Sequence, residues 1–245
     1  MILRDALRFF TRLPVGKSEP IILQGIIAWL PVVGLVVGTL AALAVWLAAL
    51  VFPPVLCGAV GCFAWAAITG GLHLDGVSDC GDAFLAEAPR EQRLIIMKDS
   101  RLGAFGAAAL FFALFFKATA LCVISETIDG SLMSLFSVIS CCCMAAVLGR
   151  SAVFLGICLP SAKPGGLGNL ACQRVTVRHG LLAAVLAVVI CAINGLTGLY
   201  GMGAALLATW LLMSATRKKL GGVTGDVFGC LIELTECAVL LACCL

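Results

Sequence analysis

Three aspartates that follow a long apolar run carry the clearest chemistry of the chain. Asp75, Asp79 and Asp82 are spaced i, i+4 and i+7, so a helix would place them along one face. Carboxylates in that arrangement repel one another unless a cation lies between them. Hard oxygen ligands suit Mg²⁺ or Mn²⁺, and proteins commonly hold Mg²⁺ with one or two carboxylates plus substrate phosphates. The spacing therefore predicts metal-binding and catalytic roles for the three aspartates, and a substrate that contains phosphate.

A solvated surface or a set of helix caps is the alternative explanation for these aspartates. The cluster begins where an apolar run ends, and ionisable groups at that depth tend to be functional because charge is costly there. His73 lies two positions before Asp75. It is a candidate general base, although a hydrogen-bonded structural histidine explains its presence equally well.

A second polar group, Lys98-Asp99-Ser100-Arg101, comes just before an apolar run that starts at residue 104. Free N–H groups at a helix start, with a lysine and an arginine beside them, suit a phosphate. Basic residues that flank a membrane span look similar. Beside three aspartates, however, the group predicts a site that stabilises charge on a phosphate leaving group.

Further charged residues lie inside apolar runs. Lys117 and Arg150 would each cost at least ~2.5 kcal/mol near the bilayer centre, so we expect them to face the bundle interior, with snorkelling as the alternative for Arg150. Asp226 opens the last apolar run, and Glu233 and Glu236 follow on a helical stripe. We expect Lys117, Arg150 or a metal as partners of these glutamates, and a structural ion pair is as good an explanation of Glu236 as catalysis.

The segment 165–169 has three glycines and ends at Asn169, a pattern typical of a turn that can present backbone N–H groups. It matches neither a Walker nor a Rossmann motif. We group Arg150, Asn169 and Asp226 with Lys98 to Arg101 as candidate substrate- and phosphate-binding residues.

The composition indicates a membrane protein. The 245 residues are 62% hydrophobic and 12% charged, with a mean hydropathy of +1.14, against about 45–50% and ~25% in an average soluble domain. A spanning helix needs about 20 apolar residues. We therefore predict a single all-α domain over 1–245, a polytopic helical bundle with about seven transmembrane helices. The expected spans are 21–50, 55–74, 104–124, 132–158, 181–199, 202–214 and 227–245.

The sixth expected span is the shortest and would be extended by its flanks or tilted. The first is too long for the core of a removable signal peptide. Most of the fourteen cysteines lie within apolar runs, where cysteine behaves as a small hydrophobe. Cys80 and His73 match no common zinc-ligand spacing.

Most Lys and Arg residues fall in four segments, whereas the connections near Pro53, from Glu126 to Asp129 and near Tyr200 contain none. Under the positive-inside rule this predicts a cytoplasmic N-terminus, an external C-terminus and a site that faces the cytoplasm. The four segments are the N-terminal one with Arg4, Arg8, Arg12 and Lys17, and those at 75–103, 159–180 and 215–226.

Five strings in this sequence resemble one known family. They are FTRLP from Phe10, GGLHLDGVSD from Gly70, IMKDSRLGAFG from Ile96, GLGN from Gly166 and LGGVTGDVFGCLIEL from Leu220. In this order, and over nearly the whole chain, they resemble the cobalamin-5′-phosphate synthase family, also called adenosylcobinamide-GDP ribazoletransferases. One departure is Asp82-Ala83, where the family usually has a glycine after the aspartate.

The resemblance implies an integral enzyme of the bacterial inner membrane that depends on Mg²⁺. Members join adenosylcobinamide-GDP to α-ribazole or its 5′-phosphate and release GMP, the last assembly step of the cobalamin nucleotide loop. By position, Asp75, Asp79 and Asp82 match the family's acidic motif, and Lys98 to Arg101 match its second motif. The implied partners are the corrinoid and ribazole substrates and the lipid bilayer, with no nucleic acid; a homo-oligomer or an association with other cobalamin-assembly enzymes is left open.

Two other functions are alternatives. A CDP-alcohol phosphotransferase has the pattern D-G-x-x-A-R followed by more widely spaced aspartates, and this chain has Asp75-Gly76 without the Ala-Arg. A transporter would account for the buried charges, but no internal repeat is evident and the polar residues gather on one side.

Overall fold

The computed structural model describes residues 2–16, 20–163 and 165–245, so Lys17 lies outside the described residues. The described part contains no β-strand; one isolated bridge joins Ser161 to Val223. The predicted all-α fold is confirmed. The helices are α1 (Ile2–Phe10), α2 (Leu30–Ala49), preceded by a 3-10 turn (Ile26–Trp29), α3 (Pro54–Thr69), α4 (Leu72–Leu85), α5 (Arg90–Ile96), α6 (Ala104–Ser125), α7 (Leu132–Gly156), α8 (Leu167–Cys172), α9 (Val177–Ile193), α10 (Gly195–Lys219) and α11 (Gly225–Ala242).

Among the described residues, four helices are long and apolar enough to cross a membrane: α2 with its 3-10 turn, α6, α7 and α10. The pair α3 and α4, bent by 96°, would make a fifth. The shorter α9 is also apolar, and α11 carries three acidic residues. The polytopic membrane class is therefore confirmed by length and composition, whereas the count of seven spans stays a prediction.

The outer surface of the bundle also fits a bilayer. Large apolar side chains are exposed along α6, α9 and α10, among them Phe111 (60% exposed), Leu182 (67%) and Trp210 (64%). A soluble monomer rarely exposes an apolar surface of this extent. In contrast, α7 and α11 are buried along most of their length and form the core of the bundle.

The basic segments meet at one end of the bundle, which we call the charged end: α4, α5, α8 and the starts of α6 and α11. The N–H of Val223 donates to the Pro160 carbonyl at 2.8 Å, and Lys219 donates to the Phe84 carbonyl. The N-terminal segment joins them through Arg12, which contacts the end of α3. The predicted clustering of basic segments on one side thus has a structural counterpart; the compartment that this side faces stays a prediction.

Two helix boundaries differ from the sequence-based expectation. The second expected span continued to residue 74, but α3 ends at Thr69 because Gly70 and Gly71 both have positive φ (65° and 70°). At this turn the chain bends by 96° into α4, which lies at the charged end. The fifth and sixth expected spans divide at Asn194 rather than near Tyr200, so α10 has 25 residues. The sixth span is extended by its flanks, as expected for so short a segment.

Candidate active site

Helices α4 and α11 bring three carboxylates together at the charged end. The two backbones touch at Gly76, where a Cβ atom would lie 2.3 Å from the carbonyl oxygen of Asp226. This close approach places Asp226 beside Asp75 and Asp79, although it lies far from them in the sequence. The three side chains line one cleft of about 780 Å³.

Basic and polar residues also line the cleft. They include the whole second group predicted from the sequence, together with a lysine from the segment that precedes α8. The structure therefore joins the two predicted groups in one site. The polar and charged residues of the cleft are Asp75, Ser78, Asp79, Lys98, Asp99, Ser100, Arg101, Lys163 and Asp226.

Asp82 has a different position from the one that its spacing suggested. One of its carboxylate oxygens accepts from the N–H of Gly103 and the other from the N–H of Gly106, each at 2.8 Å. Unpaired N–H groups at a helix start are natural partners of a carboxylate. Asp82 therefore fixes the start of α6 against α4, and the structure does not bring it into the cleft as a third metal ligand.

Electrostatics distinguish the cleft carboxylates from ordinary surface aspartates. Burial, and then the nearby charges of Asp75, Asp226 and Asp82, raise the pKa of Asp79 to about 7. Burial also raises the pKa of Asp226, although the charge of Lys163 opposes this shift. Both shifts arise mainly because burial disfavours the charged form of a carboxyl group, and neighbouring carboxylates add to them.

The donor set fits Mg²⁺ that is completed by a substrate. Among the described residues, no group of three or more His, Cys, Asp and Glu side chains is close enough to enclose an ion. Mg²⁺ is usually held by one or two carboxylates together with phosphate oxygens and water, which does not require such an enclosure. Asp75 and Asp79, one turn apart on α4, provide this partial set of ligands.

In the exposed group Lys98 to Arg101, one ion pair is already formed. The guanidinium of Arg101 binds the Asp99 carboxylate through Nε at 2.9 Å and through a terminal nitrogen at 2.5 Å. This pairing holds the pKa of Asp99 at about 2. The ion pair keeps Arg101 at the cleft, where Lys98 and Ser100 also lie.

Lys163 is a site residue that the sequence analysis counted only as a basic residue. It lines the cleft and two adjoining cavities, and in all three it shares the lining with Asp226. Its position just before the glycine-rich segment 165–168 was the available signal, because such a turn can bring a lysine close to a phosphate.

Basic residues outside the cleft hold α4 in place. The guanidinium of Arg93 donates to the carbonyls of Ala83 at 2.5 Å and Phe84 at 3.0 Å, and Lys219 also reaches Phe84. Cations at a helix C-terminus satisfy its free carbonyls and interact favourably with its dipole. These contacts fix the helix that carries Asp75 and Asp79.

His73 lies in a separate, mostly apolar cavity of about 140 Å³ and is only 2% exposed. Burial, and then the charge of Arg150, lower the pKa of His73 to about 3. Because the ring does not line the cleft that holds the aspartates, the geometry does not favour the predicted general-base role.

Arg150 and Asn169 also lie outside the cleft. Arg150 is fully buried and bound to Glu236, which also accepts from Lys117 at 2.7 Å. Lys117 binds Glu233 as well. The expected ion pairing of the two glutamates is confirmed, and it removes Arg150 from reach of a substrate. Asn169 lines a third cavity, of about 300 Å³, which it shares with Asp226.

Cys80 is buried, and its thiol contacts that of Cys230 on α11. It packs as an apolar residue between the two helices of the site.

Comparison with known proteins gives one consistent result. The family model described as cobalamin-5-phosphate synthase matches residues 2–244. A protein of Stutzerimonas stutzeri named adenosylcobinamide-GDP ribazoletransferase is 35% identical over 96% of this chain and 94% of its own. Two further relatives have the same name. The protein of Roseiflexus is 36% identical over 96% of this chain and 86% of its own, and that of Brevibacillus brevis is 35% identical over 96% of this chain and 94% of its own.

No solved structure matches this chain. The family match and the relatives both extend over nearly its whole length, including the helices that build the cleft. The chain therefore belongs to the cobalamin-5-phosphate synthase family.

Proposed function

We propose that this protein joins adenosylcobinamide-GDP to α-ribazole, or to its 5′-phosphate, and releases GMP in a reaction that requires Mg²⁺. The observation that carries the proposal is the shared cleft, which is lined by Asp75, Asp79 and Asp226 together with Lys98 and the other basic residues. Such a cleft suits a diphosphate, and the names of the relatives identify which diphosphate it would be.

Asp75 and Asp79 would hold Mg²⁺, which would neutralise charge on the diphosphate as the leaving group departs. Lys98, Lys163 and Arg101 lie around the same cleft and provide the remaining positive charge. The metal held by the carboxylates and the basic side chains would therefore bind the same diphosphate.

In the reaction, a ribose hydroxyl of the acceptor attacks the phosphorus on the cobinamide side. A new P–O bond forms, the bond to the bridging oxygen breaks, and GMP leaves with that electron pair. Asp226 is placed to take the proton of the hydroxyl, because it lines the same cleft and burial raises its pKa, which makes it a stronger base. It comes from α11, opposite the two aspartates of α4.

We further propose that the cleft faces the cytoplasm of a bacterial inner membrane. The basic segments gather at the charged end, and the positive-inside rule assigns such an end to the cytoplasm. A reporter fused after Leu245 should then be active only outside the cytoplasm, since α11 begins at the charged end and leads away from it. Cytoplasmic reporter activity would reverse the orientation.

The test of the reaction uses purified protein in detergent with adenosylcobinamide-GDP, α-ribazole and Mg²⁺. We expect GMP and the complete corrinoid to appear in equal amounts, and chelation of the metal to stop both. Absence of product beside an active relative would refute the proposal. Activity with a CDP-alcohol and a lipid acceptor, but not with the corrinoid, would favour the alternative phosphotransferase.

A further inference from the structure

A second cavity adjoins the cleft and differs from it in chemistry. It lies between α1, α4, α8 and α11 and measures about 140 Å³. Its walls are mostly aromatic and aliphatic. The side chains that matter here are Phe9, Phe10, Leu30, Val153, Phe228 and Ile232.

His73 is the polar group inside this cavity that lacks a partner. Its side chain is 2% exposed, and neither ring nitrogen has a hydrogen-bond partner in the described part of the chain. Buried polar groups are nearly always hydrogen-bonded, and an exception calls for an explanation. The ring lies 6.4 Å from that of Phe10. A ligand that enters the cavity would supply the missing partner.

The cavity lies next to the reaction cleft. Asp75 and Asp226 line both spaces. A molecule with an apolar part in the cavity would therefore place its next polar group at these two carboxylates, beside the proposed metal. The acceptor of the proposed reaction has such an apolar part followed by a polar group, because it carries an aromatic base on a ribose.

We infer that this cavity binds the aromatic base of the acceptor nucleoside, with His73 hydrogen-bonded to a ring nitrogen and Phe10 and Phe228 packed against the ring. The inference rests on the proposed function and specifies which part of its site receives the acceptor. It makes His73 a residue that selects and positions the acceptor base, rather than a general base.

The chemistry of the cavity favours this occupant over others. Guanine has several hydrogen-bond acceptors, and among the described side chains that line the cavity only His73 offers an N–H donor, so most of these acceptors would lack a partner. A lipid chain would leave His73 unpartnered. The corrin is far too large for the space. A mostly apolar bicyclic base with a ring nitrogen matches both the walls and the imidazole.

The test measures KM for each substrate separately, together with direct binding of α-ribazole by calorimetry. His73→Ala and Phe10→Ala should each raise KM and Kd for α-ribazole about tenfold, the effect of losing one good contact, while KM for adenosylcobinamide-GDP changes less than twofold. His73→Gln keeps a donor and an acceptor and should recover part of the affinity. Phe63→Ala is the control, because Phe63 is 75% exposed on α3.

A rise in KM for adenosylcobinamide-GDP alone would assign the cavity to guanine and overturn the inference. Unchanged Kd for α-ribazole in folded His73 and Phe10 variants would overturn it as well, and thermal unfolding of each variant identifies those that fold. Failure of the proposed function is a separate result: the wild-type protein would form no GMP, whatever the His73 variants bind.

Discussion

The protein contains two clusters of acidic and basic side chains that use charge in opposite ways. In the buried cluster, Lys117 and Arg150 pair with Glu233 and Glu236, and all four side chains are at most 3% exposed. In the cleft, Asp75, Asp79 and Asp226 share an open space, and no salt bridge involving them is found in the described part of the chain.

This difference distinguishes charged side chains that stabilise the fold from those that are available to bind a ligand. The buried cluster has two positive and two negative groups, and the ammonium of Lys117 also lies 4.8 Å from the Trp65 ring centroid, so its charge is balanced within the protein. In the cleft, burial and then the charges of the neighbouring carboxylates raise the pKa of Asp79. A cluster whose charges balance within the protein stabilises the fold, whereas carboxylates without a salt-bridge partner can bind a cation.

The largest effect should come from unbalancing the buried cluster. Glu236→Gln leaves Arg150 without its carboxylate, and breaking a buried pair costs about 3–5 kcal/mol of unfolding free energy. Thermal unfolding in detergent measures the loss. Glu126→Gln, at an exposed position between α6 and α7, is the control and should unfold like the wild type. If Glu236→Gln unfolds at the same temperature as the wild type, the ion pairs contribute little to the stability of the fold.

Neutralising a carboxylate of the cleft should affect activity and leave the fold intact. Asp75→Asn and Asp79→Asn should each lower kcat/KM about 10²–10³-fold, the effect of removing one strong electrostatic contact to a transition state. Their unfolding temperatures should equal or exceed that of the wild type, because like charges are relieved. Asp129→Asn, at an exposed position, is the control. Unchanged rates for both cleft variants would mean that the aspartates are only a solvated surface.

The cleft should also respond to pH, whereas an internally balanced cluster should not. The pKa of Asp79 is about 7 in the folded protein against an ordinary value of 3.8. The metal-free folded protein therefore binds a proton more tightly than the unfolded chain between these values, and its stability falls as pH rises from about 4 to 7.

Mg²⁺ competes with that proton, so its apparent affinity for the substrate-loaded protein should fall by up to about tenfold for each pH unit below 7. Unfolding and Mg²⁺ titrations between pH 5 and 8 measure both trends. Asp79→Asn should flatten them, and a wild-type pH dependence in this variant would assign the titration to another group.

The smallest effect is expected at Asp82, which resembles the buried cluster because it has internal partners. Asp82→Asn weakens two contacts to the start of α6 and should cost about 1 kcal/mol of unfolding free energy, as the loss of a helix cap does. The activity of this variant should depend on Mg²⁺ concentration in the same way as the activity of the wild type. A large increase in the Mg²⁺ requirement would return Asp82 to the set of metal ligands.

Much of the fold followed from the sequence because apolar runs and clustered basic residues are strong local signals. These signals do not show where the chain turns. The expected second span continued through Gly70-Gly71, since hydropathy alone does not detect a change of direction, and two consecutive glycines with positive φ end α3 there. Asn194 ends α9 inside an apolar sequence, where its side chain donates to the Ile190 carbonyl at 2.8 Å.

The site was predictable where it depends on spacing within one helix, and less so where it depends on packing. Asp75 and Asp79 share the cleft as their i, i+4 spacing indicated. The i+7 residue, Asp82, turns to α6 because a helix start provides unpaired N–H groups there. Asp226 and Lys163 join the cleft through contacts between segments distant in the sequence, which spacing does not reveal.

The most direct test of the difference between the two clusters is electron paramagnetic resonance of Mn²⁺, used in place of Mg²⁺, with the protein and adenosylcobinamide-GDP. We predict that wild-type protein and Glu233→Gln, if folded, bind Mn²⁺ with similar affinity, whereas Asp75→Asn and Asp79→Asn bind it at least tenfold more weakly. Equal affinity in the two aspartate variants, or loss of binding only in folded Glu233→Gln, would contradict this account.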